Sequence, residues 1–368
     1  FDSNPGWSNA QAEIFRQGYA WVGVSAQFVG VYGREGALVP FNLKSYDPER
    51  YAALEHPGDS FSFDIFSQVA QAARHPGTLD LLDGLEAQRI IATGQSQSAS
   101  RLVTYVNAIQ PRYQAYDGIL IHSRSAYAAP LAEGPQVLIE SPEDTLIRTD
   151  LSVPVLVLQA ENDVLRSSVR VRQDDSNLLR IWEVAGTAHS DLYSTQTGWQ
   201  DDGTDPSAAA VEEVDNIQGF IQCDAPVNSG PMHYAYAAAL DGMNRWIIDK
   251  EAPANGEPLQ LNDDLSGFLL DDTGNALGGI RTPFVDAPVA LLSGQGQSNQ
   301  SFCALFGTTR LLSSEQLASV YTDESGYVAA VSEATDSAVA AGYLLSDDGE
   351  LIIAWASEQW RILMARAD

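Results

Sequence analysis

The 368-residue sequence predicts an α/β fold: a mostly parallel sheet with helices on both faces, followed by a mostly helical, irregular C-terminal region. Two observations carry this. Short runs of apolar, β-branched residues recur without polar alternation, as strands buried on both faces require. Between them, apolar residues return at helical spacing. The texture changes near residue 205. This separates a core over 1–205 from a region over 206–368 that is expected to pack on it.

Residues 10–17 read as a short amphipathic helix ended by Gly18. Residues 19–25 are aromatic and β-branched on both faces and read as a strand. Ile65, Phe66, Val69, Ala70 and Ala73 place a helix over 64–74, closed by Pro76-Gly77. The strand at 89–94 runs straight into Gln95-Ser96-Gln97-Ser98-Ala99 and a helix through Leu102, Val103, Val106 and Ile109, which Pro111 should stop. Further strands fall at 118–122, 153–158 and 179–184. Past residue 205, helices are expected over 211–221, 234–249, 314–321, 327–341 and 354–368. Clusters such as Asp271-Asp272-Thr273-Gly274-Asn275 lack the closing Glu of a calcium loop and read as turns.

Composition excludes several function classes. Hydrophobic residues make up 45%, which is incompatible with a core-poor disordered chain. A net charge of −29 argues against binding nucleic acid, because little is left to neutralise phosphates. It also argues against docking on an anionic membrane, and no apolar run is long enough to span a bilayer. Lys44 and Lys250 are the sole lysines, and an acidic, lysine-poor surface suits a protein working in salt. No signal peptide is visible in this chain. Cys223 and Cys303 read either as inert buried thiols or as one disulfide of an exported protein.

The chemistry concentrates at Gly94-Gln95-Ser96-Gln97-Ser98. A serine is a poor nucleophile unless it is lifted to an exposed position and a base takes its proton. A sharp strand-to-helix turn does the lifting and aims the Gln97 N–H at a developing oxyanion. Positions two before and two after the serine must then be small, and Gly94 and Ser98 are. Ser98 is the rival nucleophile, but Gly94 marks the strand end two residues before Ser96. The strand at 153–158 ends in Gln159-Ala160-Glu161-Asn162-Asp163, which puts an acid at the sheet's carboxyl end. Asp163 is the candidate and Glu161 its rival. The next strand leads into a loop bearing His189. The order Ser, acid, His is that of a hydrolase triad, with separations of 67 and 26 residues.

Gln95 and His122, at the carboxyl ends of their strands, are pocket candidates. His56, His75 and His233 read as structural. No His/Cys/Glu spacing suggests zinc, and Gly294-Gln295-Gly296 lacks the strand-to-helix context of a nucleotide loop, so no metal or cofactor is expected.

Six stretches carry a family resemblance: Gly18-Tyr19-Ala20-Trp21-Val22-Gly23-Val24-Ser25-Ala26-Gln27, His56-Pro57-Gly58-Asp59, Asp64-Ile65-Phe66-Ser67-Gln68, Gly94-Gln95-Ser96-Gln97-Ser98-Ala99, Trp182-Glu183-Val184-Ala185-Gly186-Thr187-Ala188-His189 and Gly278-Gly279-Ile280-Arg281-Thr282-Pro283. They resemble the bacterial α/β-hydrolase domain-containing proteins. The Gly94–Ser98 stretch also resembles the G-x-S-x-G nucleophile elbow of α/β-hydrolases, with Ser98 in place of the last glycine. The resemblance implies an α/β-hydrolase fold and a serine esterase acting on a small-molecule ester through Ser96, Asp163 (or Glu161) and His189. Amide, peptide or lactone cleavage would use the same residues, and a non-catalytic hydrolase-like binding protein is the alternative of another class. The resemblance also favours a Cys223–Cys303 disulfide, and hence a secreted or periplasmic protein. Such folds usually carry eight strands. Here residues 19–25 look like the fourth, so the first three appear missing. An upstream segment or partner chain is expected to complete the sheet.

Overall fold

Four parallel strands form the central sheet of the computed structural model, which describes residues 5–35, 42–75, 77, 80–219, 221–298 and 302–366. They are β1 (Ile91–Gln95), β2 (Gly118–His122), β3 (Val155–Ala160) and β4 (Leu179–Val184), lying side by side in chain order. The register pairs Gln95 with His122 and Ala160 with Val184, so the strands finish nearly level.

Alternation sorts the strand residues onto two faces. Leu120, Leu156, Leu158 and Trp182 pack on one side against α1 (Pro5–Gln17) and α5 (Met232–Asp249). Ile119, Ile121, Val155 and Val157 pack on the other against α2 (Ser62–Arg74) and α3 (Gln97–Thr104). Every residue of β2 and β3 is buried, which accounts for their unbroken apolar runs. Truncating one such side chain, Leu156→Ala for example, would cost about 2–5 kcal/mol. At Gly118 a Cβ would come within 2.7 Å of both Ile247 Cδ1 and Met243 Sδ, so glycine lets α5 lie close on the sheet.

The region past residue 205 therefore supplies a covering helix of the sheet as well as a lobe of its own. That lobe packs α6 (Glu324–Ala340) and α7 (Ser346–Met364) against the antiparallel pair Ala290–Ser293 and Thr308–Leu311. It joins the core through a parallel bridge from Val184 to Ile280 and through Arg16, which is 2.7 Å from Glu13 and from Asp348 of α7.

Three expectations need correction. Residues 19–25 carry no regular secondary structure and join no sheet among the described residues. A strand needs a neighbour to bond with, and among the described residues the outer edge of β1 has none. Ser96 N–H bonds to His122 O, so the even-numbered residues of β1 face β2, and Ile91 and Thr93 turn their backbone groups outward. The described residues of 211–221 form no helix. Asn216–Ile217 pairs antiparallel with Ile221–Gln222 around Gln218 and Gly219, both at positive φ, so turn geometry overrides the apolar spacing. Pro111 does not stop its helix. After a π-turn at Tyr105–Ile109 it enters the first turn of Gln110–Tyr113, where no N–H is needed. Pro76, expected to close α2, lies outside the described residues.

Cys223 and Cys303 form a disulfide across a separation of 80 residues. On the chain-entropy account a loop of this length contributes about 4.5 kcal/mol. Reduction should therefore lower the thermal midpoint by roughly 6 °C for a protein of this size. A midpoint unchanged after the bond is shown to be open would contradict this.

Candidate active site

Ser96 sits between β1 and α3 with φ 59° and ψ −115°, a conformation that a non-glycine residue holds only under strain. The surroundings enforce it. Ser96 N–H is fixed on His122 O at 3.1 Å, and α3 starts at the next residue. A Cβ on Gly94 would lie 3.0 Å from Ser98 Cβ and 3.1 Å from Leu102 Cδ1, so this sharp a turn requires small residues at both positions. Gln97 opens α3, so its N–H belongs to the first turn and has no intrahelical acceptor.

Asp163 lies in the first turn of α4 (Glu161–Arg166), directly after β3. Its Oδ2 accepts from Ala160 N–H at 2.9 Å, and its Oδ1 is 2.6 Å from His189 Nδ1. Burial disfavours its charge, but the His189 ring and the Ala160 N–H outweigh this and hold its pKa below the usual carboxylate value. His189 stands on the loop after β4, with its side chain 11% exposed while Asp163 is almost wholly covered. A covered acid and a partly exposed ring thus lie side by side.

Glu161, the rival acid, points elsewhere. Its carboxylate accepts from Gly186 N–H at 2.7 Å and Gly294 N–H at 2.8 Å, with Ser293 Oγ at 3.3 Å. It ties the His189 loop to the strand Ala290–Ser293. Burial pushes its pKa up to about 7 against these bonds.

Ser96, Gln97 and His189 line one cavity of about 960 Å³. Ser96 Oγ is not hydrogen-bonded to His189. The residues 19–27 and the open edge of β1 line the same space. The C-terminal region walls part of it with Ile221, Phe302, Leu305 and Phe306, on segments that the disulfide joins. Gln95 lines the cavity too, with its Nε2 donating to His189 O at 2.6 Å.

His122 does not line it, contrary to expectation. It is 1% exposed, on an interior strand, with its ring 5.2 Å from that of Tyr236, and burial pushes its pKa down to about 3. Sequence reasoning missed Asn162, whose Oδ1 accepts from His189 N–H at 2.8 Å. Its position between two candidate acids was the one available signal.

A family model described as alpha/beta hydrolase domain matches residues 1–354. No curated protein and no solved structure matches the chain.

The buried carboxylates set a pH dependence. The pKa of Glu161 is about 7 folded and 4.5 as its ordinary value, so over that window the native state holds a proton that the unfolded chain has released. Stability therefore falls as pH rises through the window. Glu13, at about 7, and Asp191, at about 6, are raised by burial in the same direction. The thermal midpoint at high, constant ionic strength should be lower at pH 8 than at pH 5. Glu161→Gln should be less stable at pH 5 yet show a shallower decline, and a decline as steep as the parent's would refute the assignment to Glu161.

Proposed function

We propose that this chain, which belongs to the alpha/beta hydrolase domain family, is a serine hydrolase cleaving carboxylic esters through an acyl-enzyme on Ser96. The observation that carries the reading is the strained Ser96 elbow opening into the cavity that His189, backed by Asp163 at 2.6 Å, also faces.

In this mechanism Ser96 Oγ attacks the acyl carbon while His189 Nε2 takes its proton. The carbonyl π electrons move onto oxygen, and the Gln97 N–H stabilises the oxyanion. Collapse breaks the bond to the alkoxide, which takes the proton from His189 and leaves as the alcohol. Water, deprotonated by His189, then attacks the acyl-enzyme, and the proton returns to Ser96 as the acid leaves. Asp163 keeps the proton of neutral His189 on Nδ1 and offsets the charge of the imidazolium. The aromatic and aliphatic lining, including Trp21, Phe63, Phe302 and Phe306, favours a small-molecule ester with an apolar acyl or alcohol part.

The disulfide supports a secreted or periplasmic location, since such bonds persist in oxidising compartments. No described helix is long and apolar enough to cross a membrane. We also propose that an upstream segment, or a partner chain, adds a strand at the open edge of β1. The outward backbone groups of Ile91 and Thr93 support this reading. In the completed assembly the amides of Ile91 and Thr93 should exchange with solvent far more slowly than in the 368-residue chain. Equal rates in the two forms would sink the idea.

Hydrolysis of short-chain p-nitrophenyl esters tests the chemistry. Ser96→Ala should lower kcat by about 10⁴-fold or more, and Asp163→Asn by about 10⁴-fold through the wrong histidine tautomer. Activity surviving in Ser96→Ala would exclude the serine mechanism. A folded parent with no activity on any ester would favour a binding protein.

A further inference from the structure

The backbone of His189 is held at both peptide groups by side-chain amides. Asn162 Oδ1 accepts from its N–H at 2.8 Å, and Gln95 Nε2 donates to its C=O at 2.6 Å. Each amide is the immediate chain neighbour of another member of the proposed catalytic set: Asn162 precedes Asp163, and Gln95 precedes Ser96. Both are buried, at 5% and 9% exposure, so neither bond has to compete with bulk water.

Asn162 is fixed in turn. Its Nδ2 donates to Ala304 O at 3.2 Å and Leu305 O at 3.1 Å, and Ser190 N–H donates to the same Leu305 O at 3.0 Å. Ala304 and Leu305 directly follow Cys303, which is covalently joined to Cys223. The amide of Asn162 therefore has both donor hydrogens and its oxygen engaged, and its orientation is determined. Gln95 is carried by β1, whose register with β2 sets its place.

This arrangement answers a physical need. The imidazole is aimed by Asp163 at one nitrogen only, which leaves the ring free to swing if the backbone behind it shifts. Holding the peptide N–H and C=O removes that freedom. Because the two clamps come from the acid loop and the nucleophile strand, they also set the histidine's position relative to both partners.

We propose that Asn162 and Gln95 are positioning residues that lock His189 between the acid and the nucleophile. The inference rests on the hydrolase reading above. Asn162→Ala and Gln95→Ala, assayed with p-nitrophenyl acetate and by amide exchange at His189, test it. A misplacement of about 1 Å costs on the order of 10²-fold in rate, so each variant should lose about that in kcat while KM stays within about twofold. Exchange at the His189 amide should accelerate in Asn162→Ala. Asn162→Asp keeps an acceptor for this N–H but loses both donors to the 304–305 carbonyls, so its amide should stay protected and its kcat should lie between parent and Asn162→Ala. Either alanine variant suffices should the other fail to fold.

Unchanged kcat in a folded alanine variant, or a loss appearing in KM instead, would overturn the proposal. So would His189 exchange in Asn162→Ala that matches the parent. The exchange measurement needs no catalysis, so a failed clamp and a failed hydrolase assignment are distinguishable.

Discussion

The level carboxyl ends of four parallel strands are the constraint on which the site depends. Register brings Gln95 beside His122 and Ala160 beside Val184, so the turns leaving β1, β3 and β4 share one edge of the sheet. Parallel strands cannot be joined by tight hairpins, and every connection must cross back outside the sheet. The residues that begin those connections lie at the carboxyl edge of the sheet, where side chains are available for chemistry. Ser96, Asp163 and His189 each lie within about five residues of a strand end for that reason.

Around this edge the structure spends hydrogen bonds on loops rather than on surface pairs. Glu161 gathers Gly186 and Gly294, Asn162 gathers His189 with Ala304 and Leu305, and Gln95 takes the His189 carbonyl. Three consecutive residues, Glu161, Asn162 and Asp163, hold three different parts of the same neighbourhood. Each is buried, where an unmade polar contact would be costly. The His189 loop is thus pinned from Asn162, from Gln95 and from the C-terminal region.

The lobe is part of the site and not an appendage to it. In the same C-terminal region, helix α5 covers one face of the sheet, and the disulfide joins the segments that carry Ile221 and Phe302 to the cavity. The opposite flank is less complete. Residues 19–25 line the cavity without bonding to β1, whose outer backbone groups stay unpaired among the described residues.

Much of this was legible in the sequence because it rests on local rules. Doubly buried strands announce themselves as continuous apolar runs, and the helix over 62–74 follows from its spacing. The elbow could be read because a tight strand-to-helix turn demands small residues at Gly94 and Ser98. The acid and histidine could be placed just past their strands by chain order alone. What chain order could not do was choose between Glu161 and Asp163, which lie two residues apart. At the start of a short helix that spacing aims side chains in different directions, and only the packed loops show that one meets His189 and the other two glycine N–H groups. The burial of His122 and the grip of Asn162 and Gln95 on His189 were likewise decided by tertiary structure. Each depends on a neighbour distant in sequence, and local spacing carries no information about which distant residue arrives.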